Sequence, residues 1–189
     1  MNVFYVLPGL ALSLLPLSNL TKAPAEARVV EVDATHSSVL FKVKHQKVCW
    51  FYGRFNKIQG SISLDGDKSS VAITIDATSA DTGNEGRDRH LLGPDFFNTK
   101  QFPEIKFESS SVSVSEDGDL DIKGKLTICG VTKELTAVAE KTGEGKARGK
   151  PIVGYHSVIT IKRSDFGMNY GKGGIGDDVQ VTLSLECKG

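Results

Sequence analysis

Apolar and polar residues alternate along most of this chain. Val71, Ile73, Ile75 and Ala77 alternate with Ala72, Thr74, Asp76 and Thr78. Leu120, Ile122, Gly124, Leu126 and Ile128 alternate with Asp121, Lys123, Lys125 and Thr127. Val179, Val181, Leu183 and Leu185 alternate with Gln180, Thr182, Ser184 and Glu186. The same period of two runs through Val39, Phe41 and Val43, through Ile58, Ile62 and Leu64, and through Val153, Tyr155, Ile159 and Ile161. Successive side chains on a strand point to opposite faces, so each run predicts a strand with one dry and one wet face. Asp65-Gly66-Asp67, Glu116-Asp117-Gly118-Asp119 and Gly143-Glu144-Gly145 suit hairpin loops, and Cys129-Gly130-Val131 can bend one long ribbon back on itself. About eight strands without crossover helices predict an all-β, antiparallel sheet. With one apolar face, such a sheet must close into a barrel or stack on a second sheet, and alternation alone leaves both open.

The stretch from Asp81 to Pro103 breaks the pattern. Residues Glu85 to Gly93 can form one or two helical turns with Leu91 and Leu92 facing inwards, and Phe96, Phe97 and Phe102 follow. A connector this long inside a compact domain is usually functional or covers something. Its phenylalanines suit either a lid over an apolar opening or a plug of core at one barrel end.

Met1 to Leu17 is uncharged and apolar but interrupted by Pro8, Gly9 and Pro16, too short and broken for the roughly 20 apolar residues of a membrane span. Ala25-Glu26-Ala27 has the form of a signal-peptidase site, so residues 1–27 are expected to be a signal peptide and 28–189 a single domain, periplasmic or secreted. The n-region lacks Lys and Arg, which leaves a mis-assigned start or an uncleaved anchor as the alternative.

The 189 residues carry 23 basic and 23 acidic side chains. Zero formal net charge argues against a nucleic-acid partner, and against attachment to anionic lipid by electrostatics alone. Cys49, Cys129 and Cys187 are compatible with one disulfide plus one thiol, or with three separate thiols serving as small apolar fillers.

Five further pieces, in order, carry a resemblance. They are Asp33-Ala34-Thr35-His36-Ser37 before Val39-Leu40-Phe41; Gly53-Arg54-Phe55 with Gly60 following; Arg87-Asp88-Arg89-His90-Leu91 with Phe96-Phe97; Phe102-Pro103-Glu104-Ile105-Lys106-Phe107-Glu108-Ser109; and Gly124-Lys125-Leu126 through Gly130-Val131-Thr132-Lys133, with Arg163-Ser164-Asp165-Phe166-Gly167. Together the chain resembles the YceI-like family of periplasmic polyisoprenoid-binding proteins from about residue 28 to its end. The resemblance implies an eight-stranded antiparallel, lipocalin-like barrel enclosing an isoprenoid chain. The aromatic Cys49-Trp50-Phe51-Tyr52 and the presence of Cys129 depart from the expected pattern.

Candidate chemistry is sparse. His36, His45, His90 and His156 have no metal-ligand spacing, and neither HExxH nor CxxC occurs. Ser37, Asp88 and His90 are triad residue types, but no G-x-S-x-G elbow is present. Arg87, Asp88 and His90 are expected to form a polar knot that fixes the connector, with His36 able to join by hydrogen bonding; Arg87 or Arg89 can alternatively meet a phosphate or carboxylate head group at the mouth. Gly171 to Gly176 imitates a phosphate loop but runs into a strand and lacks the Lys-Ser/Thr pair. The leading expectation is therefore a non-catalytic binder or carrier of a polyisoprenoid or similar long-chain lipid, without metal or other cofactor. Phe41, Phe55, Phe107, Tyr155 and Val181 are expected to line its interior, with Phe96, Phe97 and Arg87 at the mouth. An enzyme acting on such a lipid or on a small envelope metabolite, and a stress-related interaction protein with a filled barrel, are the alternatives. A homodimer stays open.

Overall fold

The computed structural model describes residues 27–189; the expected signal peptide, save Ala27, lies outside the described residues. Eleven strands form one antiparallel sheet that closes through an additional pairing of the first and last strands along the chain. The first three barrel strands are each broken in two. β1 (Arg28–Val32) and β2 (Ser38–His45) are the halves of the first. β3 (Cys49–Phe55) and β4 (Ile58–Leu64) form the second, and β5 (Ser70–Asp76) with the short β6 (Ala80–Asp81) the third. β7 (Glu104–Val114), β8 (Leu120–Ile128), β9 (Val131–Ala147), β10 (Lys150–Lys162) and β11 (Ile175–Lys188) complete it. The result is an eight-stranded up-and-down barrel, closed where β11 pairs with both β1 and β2. Closure turns the dry faces of the strands inwards and leaves an edge only at one end of the barrel, where Cys49–Gly53 of β3 pair with β2 alone and β6 pairs with β3 alone.

Sequence parity carries directly into burial. Val71, Ile73 and Ile75 of β5 and Leu120, Ile122, Leu126 and Ile128 of β8 are buried, while their polar alternates face out. Ala77 ends the first of these runs in a 3-10 turn, Ala77–Ser79, rather than in the strand, because the Asp76 side chain caps that turn through the Thr78 amide.

One of the expected turns is a tight two-residue hairpin. Cys129 and Gly130 both have positive φ (51° and 74°), as a two-residue mirror-image hairpin turn requires. The expected loop at Gly143-Glu144-Gly145 is corrected: these residues lie inside β9, where the register with β10 slips between Gly154 and Tyr155. The turn falls at Arg148 and Gly149, whose φ values are 51° and 80°. Glycine in a strand commonly marks a bulge instead of a turn, and the residue after the bulge can still pair.

Of the connector, residues Glu85–Leu91 form one helix, α1, capped by the Asn84 side chain, which accepts from the Arg87 amide. The connector lies at the same barrel end as the 46–48 turn, the Cys129–Gly130 turn and the 163–174 loop between β10 and β11. Among the described residues no helix is long and apolar enough to cross a membrane, and all three cysteines are free thiols.

Candidate functional site

The barrel is not filled. A cavity of about 520 Å³ runs along its interior from Ile62, Leu120 and Leu185 at the floor to Phe96, Tyr170 and Ile175 at the top. Its wall is apolar for nearly its whole height, and no Asp, Glu or Lys contributes to it. The structure places Phe41, Phe55, Phe107, Tyr155 and Val181 on this wall, and Phe96, Phe97 and Arg87 at its upper end.

Small residues give the wall its shape. A Cβ at Gly53 would collide with the Phe41 ring, its direct cross-strand partner, and one at Gly124 would collide with Phe107. Each glycine thus lets a ring lie flat against the sheet instead of crossing the lumen. Phe41 also packs on Phe55 with ring centroids 5.5 Å apart, and Phe55 meets Phe97 edge-on at 5.4 Å.

The upper end is closed by two loops that meet through aromatic edges. His90 and Phe96 of the connector contact each other at 5.0 Å and contact Tyr170 of the β10–β11 loop at 4.8 Å and 5.5 Å. Cys129 pins the connector from a third side, its Sγ donating to the carbonyls of Phe96 (3.3 Å) and Phe97 (3.5 Å). Burial there raises the Cys129 thiol pKa, so it stays a neutral donor. Phe102 covers the Cys129–Gly130 turn, where a Cβ on Gly130 would meet its ring. Lid and plug are therefore both present: Phe97 joins the core cluster, and Phe96 belongs to the cover.

The polar knot divides. Arg87 Nε donates to Thr82 Oγ1 and its Nη2 to Thr82 O, while Asp88 accepts from the Thr82 amide and hydroxyl. The Arg87 guanidinium then lies 4.0 Å over the Phe51 ring. His90 turns away from this pair to Asp95, 2.9 Å from its Nε2. His36 does not join. Its Nδ1 lies 2.6 Å from Asp33, three residues earlier on the outer wall where the first strand breaks. A partner within the same turn captured it, because Asp33 also accepts from the Thr35 amide and folds the segment tightly.

Asp33, His36 and Glu186 come close enough to share an ion, a grouping that linear spacing did not announce. Lys188 already pairs with Asp33 there, and His36 and Lys188 together hold the Asp33 carboxyl well below the usual carboxylate range. Ser37 exchanges hydrogen bonds with the Glu186 backbone, remote from the His90–Asp95 pair, so the triad residue types do not converge.

Sequence reasoning missed Arg163. It is buried, lies at the upper lumen, and donates to the carbonyls of Met168 (2.7 Å), Gly176 (2.8 Å) and Ile175 (3.0 Å). One carbonyl of the glycine-rich loop and two at the start of β11 are thereby held by one planar cation. The available signal was an arginine closing the alternating run of β10 just before that loop.

Fold and lumen define a class: a closed up-and-down β-barrel with an apolar interior and a loop-built cover, a ligand-binding architecture. The chain belongs to the YceI-like family, whose domain model matches residues 31–187. It is 36% identical over 168 residues to a UPF0312 protein of Shewanella sp. (strain W3-18-1), covering 87% of this chain and 88% of that one. A UPF0312 protein of Pseudomonas aeruginosa (strain LESB58) is also 36% identical, over 83% of this chain and 84% of its own length. Among solved structures, Burkholderia cenocepacia BcnA superposes with a TM-score of 0.73 at 27% identity, covering 82% of this chain and 98% of that one. A polyisoprenoid-binding domain from Saccharophagus degradans shares the fold with a TM-score of 0.66 at 20% identity, over 84% and 97% of the two chains.

Proposed function

We propose that this protein binds and carries a polyisoprenoid or similar long-chain lipid inside the barrel, without catalysing its conversion. The observation that carries this reading is the cavity of about 520 Å³ with a wall of aliphatic and aromatic side chains. Such a lumen offers a hydrocarbon chain the one interaction it can make. Each buried methylene contributes about 0.8 kcal/mol, so ten supply roughly 8 kcal/mol before the cost of association is subtracted. A polar ligand lying along the apolar wall would lose more hydration than the few polar groups of the lining could replace. The Saccharophagus domain, named for polyisoprenoid binding, supports the ligand class through a shared fold. Arg87 at the mouth is the group suited to a phosphate or carboxylate head. The N-terminal apolar stretch and Ala25-Glu26-Ala27 support a periplasmic or secreted location.

The test is native mass spectrometry of the purified protein, followed by titration of the delipidated protein with a fluorescent polyisoprenoid. A retained or saturably bound lipid is expected, displaced by unlabelled chains of the same kind. A protein that emerges empty and takes up no chain overturns the proposal, and chemical turnover of the added lipid overturns the non-catalytic part.

A further inference from the structure

The strands that form one side of the lumen carry an unusual outer face. Val39, Phe41 and Val43 of β2 point inwards, so Leu40, Lys42 and Lys44 point out. Their cross-strand partners on β3 are Arg54, Tyr52 and Trp50. Trp50 and Tyr52 are 49% and 61% exposed, and Val48 at the tip of the hairpin is 79% exposed. Leu40, Val48, Trp50 and Tyr52 thus gather on a single hairpin, whereas Val29, Val114, Val138 and Val158 are exposed on four other strands.

Positive charge surrounds these rings. The ammonium groups of Lys42 and Lys44 sit over the Trp50 ring, 4.9 Å and 4.8 Å from its centre. Lys47 at the turn and Lys172 of the neighbouring loop border an adjoining groove with Lys44. Among the described residues none of these four lysines takes part in an ion pair. The carboxylate of that groove, Asp177, is turned to Ser164, whose amide and hydroxyl it accepts. In a chain of zero formal net charge, this is a local concentration of cations and not a general excess.

We propose that the outer face of the β2–β3 hairpin docks the protein on a bilayer surface containing anionic lipid. Trp and Tyr favour the boundary between hydrocarbon and head groups, where one end of the ring is dry and the other wet. Lysines whose stems lie along those rings can leave their ammonium groups among the head-group phosphates. A protein partner fits less well, since lysine is depleted from the centres of protein interfaces and here two lysines sit over the central tryptophan. Electrostatic attraction and aromatic insertion act together, so zero net charge does not forbid attachment. The hairpin also forms part of the rim of the lumen, with His45 and Phe51 on its inner side. Docking through it sets the mouth of the barrel beside the lipid phase. The proposal stands apart from the identity of the lumen's ligand.

Trp50 is the only tryptophan of the chain, so its emission reports on this face alone. The full chain, as purified, is mixed with phosphatidylcholine vesicles with and without phosphatidylglycerol, and followed by tryptophan emission and co-sedimentation. A blue shift and co-sedimentation are expected with the anionic vesicles, both weakening with added salt. Lys42→Gln and Lys44→Gln should each lower the partition coefficient about fivefold, and together about 25-fold. Lys123→Gln with Lys125→Gln, on β8 across the barrel, should bind as the parent does. Circular dichroism and thermal melts confirm that every variant is folded. Absence of binding to anionic vesicles overturns the proposal. So does equal binding by the Lys42/Lys44 double variant, or an emission shift that follows protein concentration without vesicles. Polyisoprenoid uptake measured without vesicles is a separate readout, so failure of docking and failure of lumen binding are told apart.

Discussion

Truncating Phe41 asks whether the barrel interior is a lumen or a packed core. A Phe→Ala change inside a close-packed core costs about 3–5 kcal/mol, because it opens a cavity that neighbours cannot fill. Phe41 already borders one. Its ring rests over Gly53 and against Phe55, 5.5 Å away at 46°, and its remaining face looks into the lumen. The folded state therefore loses one aromatic contact and only part of a burial term, about 2 kcal/mol in sum. Leu120→Ala, at the fully buried floor, should cost about 2–5 kcal/mol. Lipid affinity should respond in the opposite order: about tenfold loss for Phe41→Ala, equivalent to about 1.4 kcal/mol of wall contact, and a smaller loss for Leu120→Ala, which meets the lumen only at its closed floor. Gly53→Ala supplies the complementary perturbation. Its methyl group would collide with the Phe41 ring and drive it across the lumen, so lipid binding should fall while the sheet stays paired. In the double variant the collision is gone, and adding Gly53→Ala to Phe41→Ala should change little further. Urea unfolding with and without lipid, on all four variants and the parent, measures both quantities, since bound lipid adds stability by mass action. The reasoning fails if Phe41→Ala costs as much as Leu120→Ala and leaves lipid binding intact. It fails equally if the effects of the two substitutions on the Phe41–Gly53 pair simply add.

Three further outcomes follow from the same geometry. Arg163→Gln should destabilise the protein by about 3 kcal/mol or more in chemical denaturation, since buried carbonyls lose their donor; Arg163→Lys should recover little, because one ammonium cannot span the fork. Asp33 has a folded-state pKa below its ordinary 3.8, chiefly through His36 and then Lys188, so its stabilisation is complete above that value and is lost as pH falls through the lower folded one. The melting-temperature advantage of the parent over Asp33→Asn should accordingly persist from neutral pH to about 5 and shrink only in stronger acid; an advantage already gone at pH 5 would contradict the assignment. A thiol reagent at neutral pH should label Cys49 rapidly and leave Cys187 unmodified until unfolding, because Cys49 is exposed while burial pushes the Cys187 thiol up to about 11. Rapid labelling of Cys187 itself in the native protein would show that the lower barrel opens.

Much of the fold was legible because a strand's periodicity is a local property. Alternation at Val71–Ile75, Leu120–Ile128 and Val179–Leu185 assigned the inner face residue by residue, and the rings at Phe41, Phe55 and Phe107 face the lumen where parity put them. Glycine was less legible. Gly143 and Gly145 read as a turn but lie in β9, because a glycine serves bulge and turn alike and only the partner strand distinguishes them. Pairings between distant residues were not legible at all. His36 was free, on sequence, to reach the connector, and the break in the first strand gave it to Asp33.

From the sequence alone came the antiparallel β class, the inward and outward parity and the position of the apolar connector, all set by interactions within a few residues. Whether the inward residues meet or leave a void depends on how far apart closure holds the strands, a distance that no single strand encodes. The cavity, the three carbonyls gathered by Arg163 and the two lysines placed around Trp50 exist only because separate strands were brought to fixed separations. Tertiary structure alone decided those, since packing and cross-strand contact are properties of the closed sheet and not of its segments.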